Sequence, residues 1–171
     1  MNSRYHLWRA MLNVSLIFSV AGLAQGQGAA GHAAVQNMVE MKFGMVPGMP
    51  TCSTGSVQSG DPSKGPSIIL AKTAAGCSVP WHWHTPNEHL MIVTGVAQLE
   101  MKDGKPLTLR AGGYAMMPSR HVHQFLCTSS CTFYVYSDAA FDIHYVDGQG
   151  KEISPDDALK AVRKTAPKRL K

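Results

Sequence analysis

The sequence predicts an all-β chain, a sandwich or barrel finished by one short C-terminal helix. Between Ser67 and Val146, short runs rich in β-branched, aromatic or alternating residues follow one another with breaks too brief to hold helices. Asp103-Gly104 supplies the turn chemistry of a tight hairpin between two of those runs. Ser154-Pro155-Asp156-Asp157 is the one credible helix start, with an N-cap serine, a proline at the first helical position and two early acids.

Taken in order, residues 1–24 read as a secretory signal peptide. Arg4 and Arg9 form a positive start, Ala10 to Ala24 is mostly apolar, and Gly22-Leu23-Ala24 offers small residues at a cleavage site. The apolar stretch is shorter than the ~20 residues of a spanning helix, which argues for cleavage over a retained membrane anchor. Residues 25–64 read as a flexible lead-in followed by loop, since Gln, Gly and Ala dominate the start and Asp61-Pro62 and Gly65-Pro66 are turn pairs. Met38, Met41, Met45 and Met49 raise a copper-binding reading, but Gly44, Pro47, Gly48 and Pro50 rule out one helix to align them, and packing against a barrel wall is the simpler role.

Residues 65–146 form the expected barrel, with strands over Ser67 to Lys72, Val79 to His84, His89 to Thr94, Val96 to Met101 and Leu107 to Arg110. Tyr114 to Met117, Val122 to Cys127, Thr132 to Ser137 and Phe141 to Val146 follow. Residues 147–171 hold a helix from Pro155 to Lys164 and a basic tail.

Charge excludes one class of function. The formal net charge is +5, yet between Val35 and Ala158 there are 8 Lys or Arg against 11 Asp or Glu, leaving the body at −3. The positive charge belongs to the leader and the tail, with no aromatic-studded basic surface, so a nucleic-acid partner is not expected. Four cysteines in an exported chain point to disulfides, and the count allows three pairings. A hairpin over Cys127-Thr-Ser-Ser-Cys131 would join that local pair and leave Cys52 to join Cys77.

The chemistry concentrates in residues 76–95. His82 and His84 are two apart on a strand, so both rings leave one face of the pleat and can grip one ion. A Thr85-Pro86-Asn87 turn then returns Glu88 toward that face. A second strand ending in His121-Val122-His123 can supply a fourth ligand. Trp81 and Trp83 alternate with the histidines and point the other way, as does His89.

These segments resemble the two motifs of the cupins. Gly76, His82, His84, Glu88 and Gly95 match every fixed position of the first, and Gly112, Pro118 and His123 match the second. Arg120 stands where a glycine is usual and Cys127 where an asparagine is usual, which touches a turn and a supporting contact but not a ligand. The 16 residues between Gly95 and Gly112 are similar in number to those of compact bacterial single-domain cupins.

The resemblance implies a single jelly-roll barrel in which His82, His84, Glu88 and His123 bind one divalent transition metal. Iron or manganese suits three imidazoles and a carboxylate best, with nickel, cobalt, copper and zinc also accommodated. His121 and His144 are the candidate acid–base residues, with Asp142 on the same strand face as His144. A metal-free barrel whose ligands satisfy one another is the alternative.

The expected partner is a small-molecule substrate, with no stable membrane anchor after cleavage, a homodimer compatible with the sequence, and a periplasmic or secreted location. A dioxygenase-type oxidoreductase is the first reading. A Lewis-acid isomerase or lyase is the second, and a binding module without turnover the third. Amino-terminal sequencing of exported protein should find a mature chain beginning near Gln25; an intact Met1 would overturn the leader assignment.

Overall fold

A computed structural model describes residues 33–165 of the chain, so the leader and the last residues of the basic tail lie outside the described residues. The strands are β1 (Gly44–Met45), β2 (Ser53–Gly60), β3 (Ser67–Thr73), β4 (Ser78–Trp83), β5 (Glu88–Thr94) and β6 (Val96–Met101). They continue as β7 (Leu107–Arg110), β8 (Tyr114–Met117), β9 (His123–Cys127), β10 (Cys131–Ser137), β11 (His144–Val146) and β12 (Glu152–Ile153), before helix α1 (Pro155–Thr165). Two six-stranded antiparallel sheets result, one in the order β1-β2-β3-β10-β5-β8 and the other β12-β11-β4-β9-β6-β7. This is a jelly roll, as expected.

Alternation along each strand builds the core. In β10, Cys131, Phe133, Val135 and Ser137 are buried while their neighbours are half-buried, and β9 buries His123, Phe125 and Cys127 in the same way. Phe125 of one sheet meets Phe133 of the other with ring centroids 5.0 Å apart, so the inner faces of the two sheets share one apolar cluster. Helix α1 places Ala158 and Leu159 in that cluster and packs against β4 and β11. Its start is capped as the sequence predicts: the Asp157 amide donates to Ser154 Oγ at 3.1 Å.

Two local expectations are corrected. The segment read as loop before Ser67 contains β2, an eight-residue strand hidden by its Ser- and Gly-rich sequence. Its buried hydroxyls are satisfied sideways, as in the 2.7 Å contact of Ser53 Oγ with Thr73 Oγ1, so the strand needs few apolar residues to pair with β3. The last expected strand, Phe141 to Val146, is regular only over β11, because the Asp142 carboxylate accepts from the Thr85 amide at 2.7 Å and its carbonyl accepts from His84 Nδ1. Arg120 occupies the left-handed region at φ 61°, which is why a glycine suits that turn. It is held there by its amide, which donates to the His84 carbonyl at 2.8 Å, and by its guanidinium 4.8 Å over the Trp83 ring.

The cysteine pairing is half as expected. Cys52 and Cys77 form a disulfide, whereas Cys127 and Cys131 are free and buried. The turn between β9 and β10 wraps around the Val96 carbonyl, which accepts from Thr128 and Ser129, and Cys131 Sγ donates there at 3.3 Å and to the Ser129 carbonyl at 3.2 Å. Burial pushes the Cys127 thiol far above its ordinary range, with Cys131 beside it adding to the effect. Non-reducing peptide mapping should therefore find one bridge and two free thiols. Cys52→Ser should cost about 3 kcal/mol in urea unfolding, because the bridge spans a sequence separation of 25, and no loss would show that it does not restrain the unfolded chain.

Candidate metal centre

The four expected ligands meet where the strands end. His82 lies in β4 directly opposite His123 of β9, His84 follows the end of β4, and Glu88 opens β5 in the other sheet. One ligand atom from each lies within 4.8 Å of all the others, and all four residues are buried. His84 Nε2 is 3.3 Å and His123 Nε2 is 3.2 Å from Glu88 Oε2.

Backbone carbonyls fix which nitrogen of each ring faces inward. His82 Nδ1 lies 2.6 Å from the Pro80 carbonyl, His123 Nδ1 lies 2.8 Å from the His121 carbonyl, and His84 Nδ1 meets the Asp142 carbonyl. A carbonyl only accepts, so each Nδ1 carries the ring proton and each Nε2 turns a lone pair inward. Three lone pairs and a carboxylate then converge with no donor among them. His84 Nε2 and Glu88 Oε2 are indeed buried without a hydrogen-bond partner. An apolar interior does not tolerate such a set unless a cation or a proton sits in its middle, so the residues fit a divalent ion.

The ionisation of the metal-free cluster shows the same tension. Burial would raise the Glu88 pKa, but the charge that His84 carries when it takes up a proton, with His123 beside it, holds it well below the ordinary 4.5. Burial would likewise lower His84, yet the Glu88 carboxylate more than reverses this and the ring is raised above 6.5. His82 is driven well below 6.5 by burial and by the neighbouring histidines. Without metal, one proton shared by His84 and Glu88 stands in for the cation.

A cavity opens on the cluster. His82, His84, Glu88 and His123 form its polar floor, and Met49 and Phe141 belong to its wall, the Phe141 ring stacked 4.5 Å from His84. The structure does not bring the expected acid–base residues there. His121 is exposed and serves through its carbonyl. His144 lies against Trp83, ring centroids 3.9 Å apart and nearly parallel, and approaches Asp142 at 3.2 Å and Glu152 at 3.4 Å. Trp81 and Trp83 line no part of the cavity, in keeping with packing roles. Of the four N-terminal methionines, Met49 packs on the barrel, while Met38 and Met45 are exposed.

The carbonyls of Pro80, His121 and Asp142 were not singled out from sequence. The first two were legible in principle, since each sits two residues before a ligand histidine in extended chain.

Fold and cluster together define a small jelly-roll barrel that keeps its functional groups inside one end. Residues 69–137 match the cupin domain family, and this barrel belongs to it. Among solved structures, the polyketide cyclase RemF from Streptomyces resistomycificus aligns with a TM-score of 0.64 at 16% identity, over 77% of this chain and 94% of that one. A candidate acetylacetone dioxygenase from Methylibium petroleiphilum PM1 aligns with 0.57 at 17% identity, over 79% and 97%. An RmlC-like cupin from Shewanella frigidimarina NCIMB 400 aligns with 0.53 at 13% identity, over 64% and 92%. At these identities the likeness is one of fold. No curated protein matches the sequence.

The electrostatics set a pH dependence for the metal-free protein. Because the Glu88 pKa is lowered on folding, its contribution to stability is present above about 4.5 and is lost as pH falls through the folded value. Urea unfolding followed from pH ~7 to ~3 should show an acid limb that Glu88→Gln flattens. An identical limb in the variant would show that the carboxylate is not held by its neighbours.

Proposed function

We propose that this chain is an exported, metal-dependent oxidoreductase of the dioxygenase type acting on a small molecule, with His82, His84, Glu88 and His123 as the ligands. The observation that carries the reading is the buried convergence of three imidazole lone pairs and a carboxylate with no donor among them, at the floor of a cavity. A redox-active divalent ion held there would keep a charge near +1 and open positions for a chelating substrate and dioxygen.

The side chains around it favour oxygen chemistry over proton shuttling. An isomerase or lyase needs a base beside the substrate carbon. Among the described residues, the cavity wall offers no titratable group beyond the four ligands, and His121 and His144 are directed elsewhere. The apolar wall instead excludes water from the floor and orients what binds by shape. Fold relatives include both a candidate dioxygenase and a cyclase, so the fold does not choose between the chemistries and this cavity's composition has to.

Residues 1–24 would direct export, and the Cys52–Cys77 disulfide supports an oxidising compartment. No helix among the described residues is long and apolar enough to cross a membrane.

His82→Ala should lose metal, read by elemental analysis, and lose activity with it. Its cooperative melt should remain, because a formed apolar core does not depend on the ion. Glu88→Gln should keep an oxygen ligand but raise the effective charge of the ion, altering rate more than substrate affinity. Undiminished turnover under strict anaerobiosis would overturn the dioxygenase reading, and full activity in His82→Ala would overturn any metal-dependent one.

A further inference from the structure

The cavity wall states what kind of molecule can sit above the cluster. Ile69, Ala71, Leu90, Phe125, Phe133 and Val135 come from both sheets and present only carbon to it. Val46 and Met49 close one side, held in place where the Tyr145 hydroxyl donates to the Gly48 carbonyl at 2.8 Å. Two hydroxyl residues reach the wall, and each has a neighbour to bond to, closely for Ser53 and at long range for Thr54. Ser53 Oγ is bonded to Thr73 Oγ1 at 2.7 Å, and Thr54 Oγ1 donates to the Lys72 carbonyl at 3.5 Å.

Cations near this part of the fold are turned away from the cavity. Lys72 Nζ lies 4.0 Å over the Phe43 ring, and the Arg120 guanidinium lies over Trp83. No Lys or Arg lines the cavity among the described residues. A substrate carboxylate that did not reach the ion would therefore be buried with no cation beside it, and the several hydroxyls of a sugar would lose their water for a wall with only two hydroxyl residues to offer. One negative charge, as when an enol releases its proton to solvent on binding, leaves an ion of net charge near +1 neutral. A second charge does not.

We propose that this cavity selects a small uncharged molecule with an apolar body and two adjacent oxygens, in class an enolisable diketone or hydroxyketone, and rejects dicarboxylates and polyols. The selection comes from the wall. It deepens the metal-centre reading and rests on it only for the grip on the two oxygens.

Pentane-2,4-dione and malonate test this directly, because they share a skeleton and differ in replacing two methyl groups by two charged oxygens. Calorimetric titration of the manganese-loaded protein should show the diketone binding at least ~10-fold tighter than malonate, the cost of one unpaired polar group. The same order should hold, at weaker affinity, in the metal-free protein. Met49→Lys places a cation on the wall and should narrow or invert the preference, while Met49→Gln should not bring malonate in. If the lysine variant does not fold, the ranking in the unmodified protein decides alone. Malonate binding as tightly as the diketone, or a diketone that does not bind the manganese-loaded protein, would overturn the proposal. Failure to take up manganese, with the neutral probe still preferred, would instead count against the metal centre and leave the selectivity of the wall standing.

Discussion

A carboxylate buried among three imidazoles is the constraint around which this barrel is arranged. Glu88 lies inside an apolar core with no hydrogen-bond donor committed to its inward oxygen, and that is tolerable only if positive charge is always available there. The protein meets the condition by fixing the rings rather than the charge. Because Pro80, His121 and Asp142 each hold an Nδ1 with a backbone carbonyl, no ring can flip to offer Glu88 a neutral N–H. The site then accepts a proton or a metal ion and little else, and the lowered Glu88 and raised His84 values are the trace of that choice in the metal-free state.

Keeping three carbonyls and the four cluster residues in register needs a rigid rim, and the loops at this end of the barrel are tied to one another. Asp138 receives the Asn87 amide at 3.0 Å, Asn87 Oδ1 receives the Ser119 amide at 2.9 Å, and Ser119 Oγ donates to the Thr85 carbonyl at 2.6 Å. Asp142 pins Thr85 from the other side, which is why the chain there abandons regular pairing until His144. At the opposite end of β5, Gly95 adopts φ 89° with the Ser130 carbonyl only 2.2 Å from where a Cβ would stand. That turn therefore accepts glycine alone, and it sets the register with which β5 carries Glu88 to the cluster.

The clustered residues were legible in the sequence because strand geometry is strict. A spacing of two puts His82 and His84 on one face whatever surrounds them, and a Pro-containing turn before Glu88 has few ways to run. The barrel strands were legible for the same reason, their apolar alternation marking the inward face. β2 was not, because its buried Ser53 is satisfied by lateral pairing with a neighbouring strand rather than by hydrophobicity, and such pairing leaves no mark in a single strand's pattern. The Cys127 and Cys131 pairing was misjudged because spacing limits how far apart two residues can be but not where their side chains point. Facing is equally beyond the sequence for His121, which is exposed, and for His144, which stacks on Trp83.

What distinguishes this barrel is the contrast between its floor and its wall. The floor concentrates every titratable group the cavity has, and the wall removes the rest, down to hydroxyls that bond to their neighbours instead of the void. Chemistry that depends on a protein acid or base acting from the side has nothing to use here, so reactivity would have to come from whatever the floor holds, and selectivity from carbon surface and shape. An apolar wall also makes the field of the floor stronger, since little polarisable material screens it. The same low dielectric that makes Glu88 costly to bury is what would make a cation beside it effective, so the strain in the metal-free cluster and the reactivity of the filled one have a single physical origin.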